Sequence, residues 1–157
     1  PDPWGAVQAD GWGTLDDFAR AALTEGWLER QTSRPLEPRQ MAPRLAGTLA
    51  ALLGVVREHP RDDHPALVGG LAQREQAARA RLQAIAGGES APPLPDLRPA
   101  PESTDLQAAV AALAAERRAT IDWLSGLDDA AWGDDLLCAA DALAADDRAI
   151  IARLSAL

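Results

Sequence analysis

The sequence predicts an all-α fold, a four-helix bundle of up-and-down type preceded by one extra helix. Three observations carry that prediction. Apolar residues recur at spacings of three and four rather than two. Strand-forming residues are scarce, with no Tyr and few Val or Ile. A proline-rich connection separates two pairs of periodic segments. At 157 residues the chain is most simply one bundle (36–157) with an N-terminal extension (1–35), long enough to bury a core without disulfides.

The extension holds one helix. Thr14 with Asp17 three positions later gives a capping-box-like start, and Leu15, Phe18, Ala22, Leu23, Trp27 and Leu28 follow at helical spacing until "SRPLEP" ends it. The next helix starts between Pro38 and Pro43, because proline suits a first turn and not an interior. Met41, Leu45, Leu49, Leu52 and Val56 form its stripe, which stops before "REHPRDDHP". Asp63 can cap a third helix that opens at Pro65 and runs to Gly87 and Gly88, with Val68, Leu71, Ala78, Leu82 and Ile85 on one face. Glu75 falls on that same face.

Residues 87–103, "GGESAPPLPDLRPAPES", carry five prolines and no helical period. Seventeen such residues reach about 50 Å, while a helix of about twenty residues is only about 30 Å long. This connection can therefore return along a helix and leave its neighbours parallel, whereas the shorter joints favour antiparallel neighbours. Thr104 with Gln107 starts the fourth helix, which lines its inner face with Leu106, Val110, Leu113, Ile121 and Leu124 and stops at Gly126. The last helix, about 135–156, buries Leu136, Leu143, Ile150 and Leu154. Asp147 lies on that stripe and Asp146 at its edge.

Charge narrows the partners. The formal net charge is −9, and residues 91–157 hold five Arg against twelve acids. No basic stripe suits phosphates, so nucleic acid is not expected as a partner. The longest apolar run, Leu45 to Val56, spans twelve residues and is too short for a bilayer, so no membrane partner is expected either. A single cysteine, Cys138, fits a reducing compartment and a cytoplasmic location.

The phrases "LVGGLAQREQAARARLQAIAGG", "ERRATIDWLSGLDDAAWG" and "LLCAADALAADDRAIIARLSAL", with the proline-rich crossover between the first two, resemble the DinB/YfiT-like superfamily of four-helix bundles. The resemblance covers roughly 38–157. It implies a metalloenzyme frame, several members being thiol transferases or isomerases that use bacillithiol or mycothiol. The metal of such proteins is held by three histidines, one near the start of the second core helix and two spaced four apart on the last. Aligned on "LAQRE" and "AADDRAIIARL", those positions hold Gly70, Asp146 and Ile150 here, none of them histidine. The resemblance thus implies a family fold whose metal centre has been lost, with room at Gly70 that Ile150 fills.

Other residues compete for a role. His59 and His64 flank Asp62 and Asp63, which suggests a metal; the alternative is a plain turn in which Asp63 caps a helix and both histidines precede prolines. Glu75, Asp146 and Asp147 can meet as a carboxylate cluster that binds a divalent cation or supplies an acid and a base. The alternative is a buried ion pair with Arg117, Arg118 or Arg148, since an unpaired buried charge is costly. Cys138 has no histidine nearby and is expected to pack as a small apolar residue. "DDAAWGDD" lacks the ligand spacing of a calcium loop and reads as solvated caps. Trp123 and Trp132 belong to the turn phrase of the resemblance, while Trp4, Trp12 and Trp27 can cover the bundle or a second subunit.

Two functions follow. The first is a DinB-like protein without catalytic metal or other cofactor that binds a small-molecule ligand or forms a homodimer. The alternative is a metal-dependent thiol transferase or hydrolase-like enzyme, using Ni, Zn or Mn, with a relocated or carboxylate-based site at Asp146, Glu75 and Asp147.

Overall fold

The computed structural model describes residues 37–156. The helix expected between Thr14 and Leu28, with Trp4, Trp12 and Trp27, lies outside the described residues. Four helices make the architecture: α1 (Pro38–Glu58), α2 (His64–Ala86), α3 (Leu106–Ser125) and α4 (Asp134–Ser155). A 3₁₀ turn at Asp129–Ala131 precedes α4, and no strand occurs among the described residues.

The helix ends show how local sequence sets the boundaries. The Glu37 N–H donates to Gln40 Oε1 at 3.0 Å, and Pro38 opens α1 where its missing N–H costs nothing. Pro43 therefore lies inside α1, against the expectation that a helix interior excludes it. The bond it forfeits is the one to the Arg39 carbonyl, and both residues are exposed, so solvent can take that carbonyl. Asp63 occupies the cap position of α2 without capping it. Its carboxylate instead accepts from Arg61 Nε at 3.2 Å.

Helix α2 ends in a Schellman arrangement: the Glu89 N–H bonds the Ala84 carbonyl at 2.9 Å and the Gly88 N–H bonds Ile85 at 3.0 Å. Gly88 sits at φ +74°, a conformation that favours a residue without Cβ. The cap of α3 is Asp105 rather than Thr104, its Oδ1 accepting from the N–H groups of Gln107 at 3.0 Å and Ala108 at 3.4 Å. Asp134 and Asp135 place negative charge at the positive end of α4.

Cross-helix bonds give the directions. Arg44 pairs with Asp141 and Thr48 with Asp147, so α1 and α4 are parallel. Gln73 meets Glu102 just ahead of α3, and Arg79 meets Glu116 within it, so α2 and α3 are parallel, which the length of the proline-rich crossover allows. Arg74 meets Asp146 while Arg81 and Leu82 lie near Ala139, making α2 and α4 antiparallel. Close packing joins α2 to α3, α1 to α4, α1 to α3 and α2 to α4. The short joints thus give antiparallel helices, yet α1/α2 and α3/α4 lie across the diagonals rather than side by side. Residues 59–63 reach about 16 Å when extended, enough for a diagonal of about 14 Å between helices about 10 Å apart. The chain consequently runs up, down, down, up rather than in the expected up-and-down order, because the long crossover leaves α2 and α3 parallel.

The expected stripes form the core, except that Ile85, Leu106 and Leu154, near the helix ends, are only half-buried against it. Met41, Leu45, Leu49, Leu52 and Val56 of α1 are fully buried and meet Val68, Leu71 and Leu82 of α2, Val110, Leu113 and Leu124 of α3, and Leu136, Leu143 and Ile150 of α4. Burying each such side chain stabilises by about 1.5–3 kcal/mol. Trp123 and Trp132 are half-buried against that core. No helix among the described residues is long and apolar enough to cross a membrane.

The crossover lies directly on α2. The Ala100 N–H bonds the Ala66 carbonyl at 2.8 Å, and Arg74 and Arg81 hold the carbonyls of Pro95 and Pro92 at 2.7 and 3.1 Å. A Cβ on Gly69 would stand 2.1 Å from Ser103 Oγ, and one on Gly70 2.0 Å from the Arg98 carbonyl oxygen. Glycine at both positions is what lets the crossover backbone come so close.

Candidate functional site

Each helix contributes a polar residue at the same level of the core. Arg117 from α3, fully buried, stands between Glu75 of α2 and Asp147 of α4. Its Nε and Nη2 donate to the two oxygens of Glu75 at 2.9 and 3.0 Å. Its Nη1 and Nη2 donate to the two oxygens of Asp147 at 2.8 and 3.1 Å. The fifth N–H goes to the Leu45 carbonyl of α1 at 2.8 Å. Thr120 Oγ1 donates to Glu75 at 2.9 Å and Thr48 Oγ1 to Asp147 at 2.7 Å. Every guanidinium donor is used and each carboxylate accepts three bonds, which is the condition under which buried charges become tolerable.

Burial by itself would lower the pKa of Arg117, but the charges of Asp147 and Glu75 and their hydrogen bonds outweigh it, and the net shift is upward. The guanidinium is therefore held charged. Asp146 is not part of this group. It is half-buried and forms a salt bridge to Arg74, which also reaches the crossover. A cavity of about 10 Å³, lined by Arg74, Glu75, Arg117, Asp146, Asp147 and neighbouring leucines, lies between the two clusters. That is the space of about one water molecule.

Of the three candidate carboxylates, Glu75 and Asp147 come together, but around an arginine rather than around a space for a cation. Of the three arginines considered as partners, it is Arg117 that holds them; Arg118 pairs with Asp122 at 3.5 Å on its own helix. Arg117 had a signal in the sequence, since the stripe at 110, 113, 121 and 124 passes through 117. Thr48, Thr120 and the Arg44–Asp141 pair had none, because a Thr or Arg near a stripe looks the same whether or not a partner faces it.

The metal positions implied by the resemblance do not fit a metal. The space at Gly70 is filled by the Arg98 carbonyl of the crossover rather than by Ile150. Asp146 is engaged by Arg74, and Ile150, though buried, offers no donor atom. The histidine pair divides likewise: His59, Asp62 and Asp63 are exposed, whereas His64 is 1% exposed. Neither ring nitrogen of His64 has a hydrogen-bond partner. Among the described residues no group of three or more His, Cys, Asp or Glu side chains is arranged to hold a metal ion.

Cys138 is exposed, contrary to the expected packing. It lies two residues from both Leu136 and Ala140, which are buried, and two residues turn a helix by about 200°. The "DDAAWGDD" segment folds as the 3₁₀ turn and the first turn of α4, its aspartates exposed.

No protein-family model, curated protein or solved structure matches this chain.

Proposed function

We propose that this chain is a DinB/YfiT-like bundle that does not run the metal-dependent chemistry of that superfamily and serves as a binding module, for a small molecule or for a second copy of itself, in the cytoplasm. The observation that carries this reading is the engagement of its interior carboxylates. Glu75 and Asp147 spend their lone pairs on Arg117, Thr48 and Thr120, and Asp146 is tied to Arg74. A carboxylate that already accepts three bonds from fixed donors is a poor ligand and a poor base, because using it elsewhere strands the arginine.

The enzyme alternative, with Ni, Zn or Mn at a carboxylate site, requires Arg117 to give up Glu75 and Asp147, which it holds through four hydrogen bonds. Metal analysis of purified protein tests the proposal. The expected outcome is no stoichiometric Ni, Zn or Mn as purified and none after incubation and desalting. A site that fills to one equivalent and is lost in Glu75→Gln or Asp147→Asn overturns it.

A further inference from the structure

We infer that the groove between α2 and α4 beneath the crossover is a binding site for a small amphiphilic monoanion, a carboxylate on a short apolar tail. The inference rests on the binding-module reading and names a ligand class for it. The groove has a volume of about 300 Å³, at the small end of the range for ligand sites. Its floor is apolar, formed by Ala78, Leu82 and Leu143, which are buried side chains of the core. Pro93 and Leu94 of the crossover form one wall and Ala139 and Ala142 the other.

Charge sets the sign of the ligand. The groove contains two arginines, Arg74 and Arg81, and one carboxylate, Asp146, which leaves a balance of one positive charge in a chain whose net charge is −9. Arg74 and Asp146 neutralise each other. Arg81 gives its Nε to the Pro92 carbonyl at 3.1 Å, which fixes the guanidinium plane at the rim. Its terminal nitrogens meet no carboxylate among the described residues. A planar guanidinium anchored through Nε presents its two terminal nitrogens side by side, the pattern that suits a carboxylate. A dianion would face Asp146 with only one uncompensated cation, so a monoanion fits better. The apolar tail then covers the exposed Pro93 and Ala142 and the half-buried Leu94 and Ala139, removing them from water.

Octanoate is a suitable probe. Titrated into the isotopically labelled chain, it is expected to cause saturable backbone-amide shifts at Ala78, Leu82, Ala139 and Ala142. Octanol and octylamine are expected not to reproduce those shifts at the same concentrations. Arg81→Gln, checked for retained helicity and cooperative unfolding, should weaken octanoate about tenfold, the loss of one charge-assisted contact. Ala142→Phe, which fills the groove from the helix surface, should abolish the shifts. Equal binding of octanol or octylamine, shifts scattered over the surface without saturation, or unchanged affinity in Arg81→Gln overturns the inference. Metal uptake is read separately: a filled metal site with silent groove amides refutes the binding-module reading, whereas a metal-free protein with silent amides refutes only this site.

Discussion

Arg117 decides more about this core than any single leucine. It sits where an apolar residue would be expected, and the protein keeps it there by surrounding it with two carboxylates, two threonines and a main-chain carbonyl. Removing it alone, as in Arg117→Met, leaves Glu75 and Asp147 buried without a counter-ion. We expect a loss of about 3–5 kcal/mol in urea unfolding. Replacing all three together (Glu75→Leu, Arg117→Met, Asp147→Leu) is expected to recover most of that loss, because no charge is stranded; equal damage in single and triple variants would refute the account. The upward pKa shift of Arg117 has a definite sign: its contribution is complete below the ordinary arginine value and is lost only as pH rises beyond it. Stability measured from neutral pH to pH 9 should therefore show no loss traceable to this residue. The two glycines give a second residue-level test. Gly70→Ala must displace the Arg98 carbonyl and should cost about 1–3 kcal/mol, whereas Gly54→Ala, with open space around its Cβ position, should stabilise α1 by about 0.5–1 kcal/mol. Thermal unfolding of the two variants separates them by direction.

Among the described elements, the four helices and their facing stripes were readable in the sequence, because burial on one face imposes a period of 3.6 that survives in the residue pattern. Cap identity was less readable. Thr104 and Asp105 are both good capping residues one position apart, and Asp63 stands at a cap position yet bonds Arg61. Which oxygen reaches an N–H depends on backbone angles that neighbouring residues share. Asp105→Ala is expected to cost about 1 kcal/mol, measured by denaturant titration, while Thr104→Ala and Asp63→Ala should change stability by less than half of that. Cys138 was expected to pack as a small apolar residue and is exposed instead, because positions 136, 140 and 143 face inward and 138 lies on the other side of the helix. Thiol labelling of the native protein should go to completion without denaturant.

For the whole molecule, the connection between α2 and α3 fixes the topology. Returning along a helix of 23 residues, about 34 Å, needs at least about ten extended residues. Cutting the crossover to about six residues should make parallel α2 and α3 unattainable and abolish cooperative unfolding, whereas deleting three residues between Glu89 and Leu94 should be tolerated with a modest loss. Circular dichroism and urea titration of the two deletions check this. What the sequence determined by itself was the helical class, the four core segments, their inward faces and the reach of the crossover, all consequences of local period and chain length. What only the tertiary structure decided was which polar groups meet: that Glu75 and Asp147 close on Arg117, that Asp146 turns to Arg74, that the space at Gly70 belongs to the Arg98 carbonyl, and that helices joined by short turns lie across the diagonal. The physical reason is the same for each. A charged or small residue carries no record of its partner in its local pattern, and its role is fixed only when packing brings a distant donor, acceptor or backbone within contact distance.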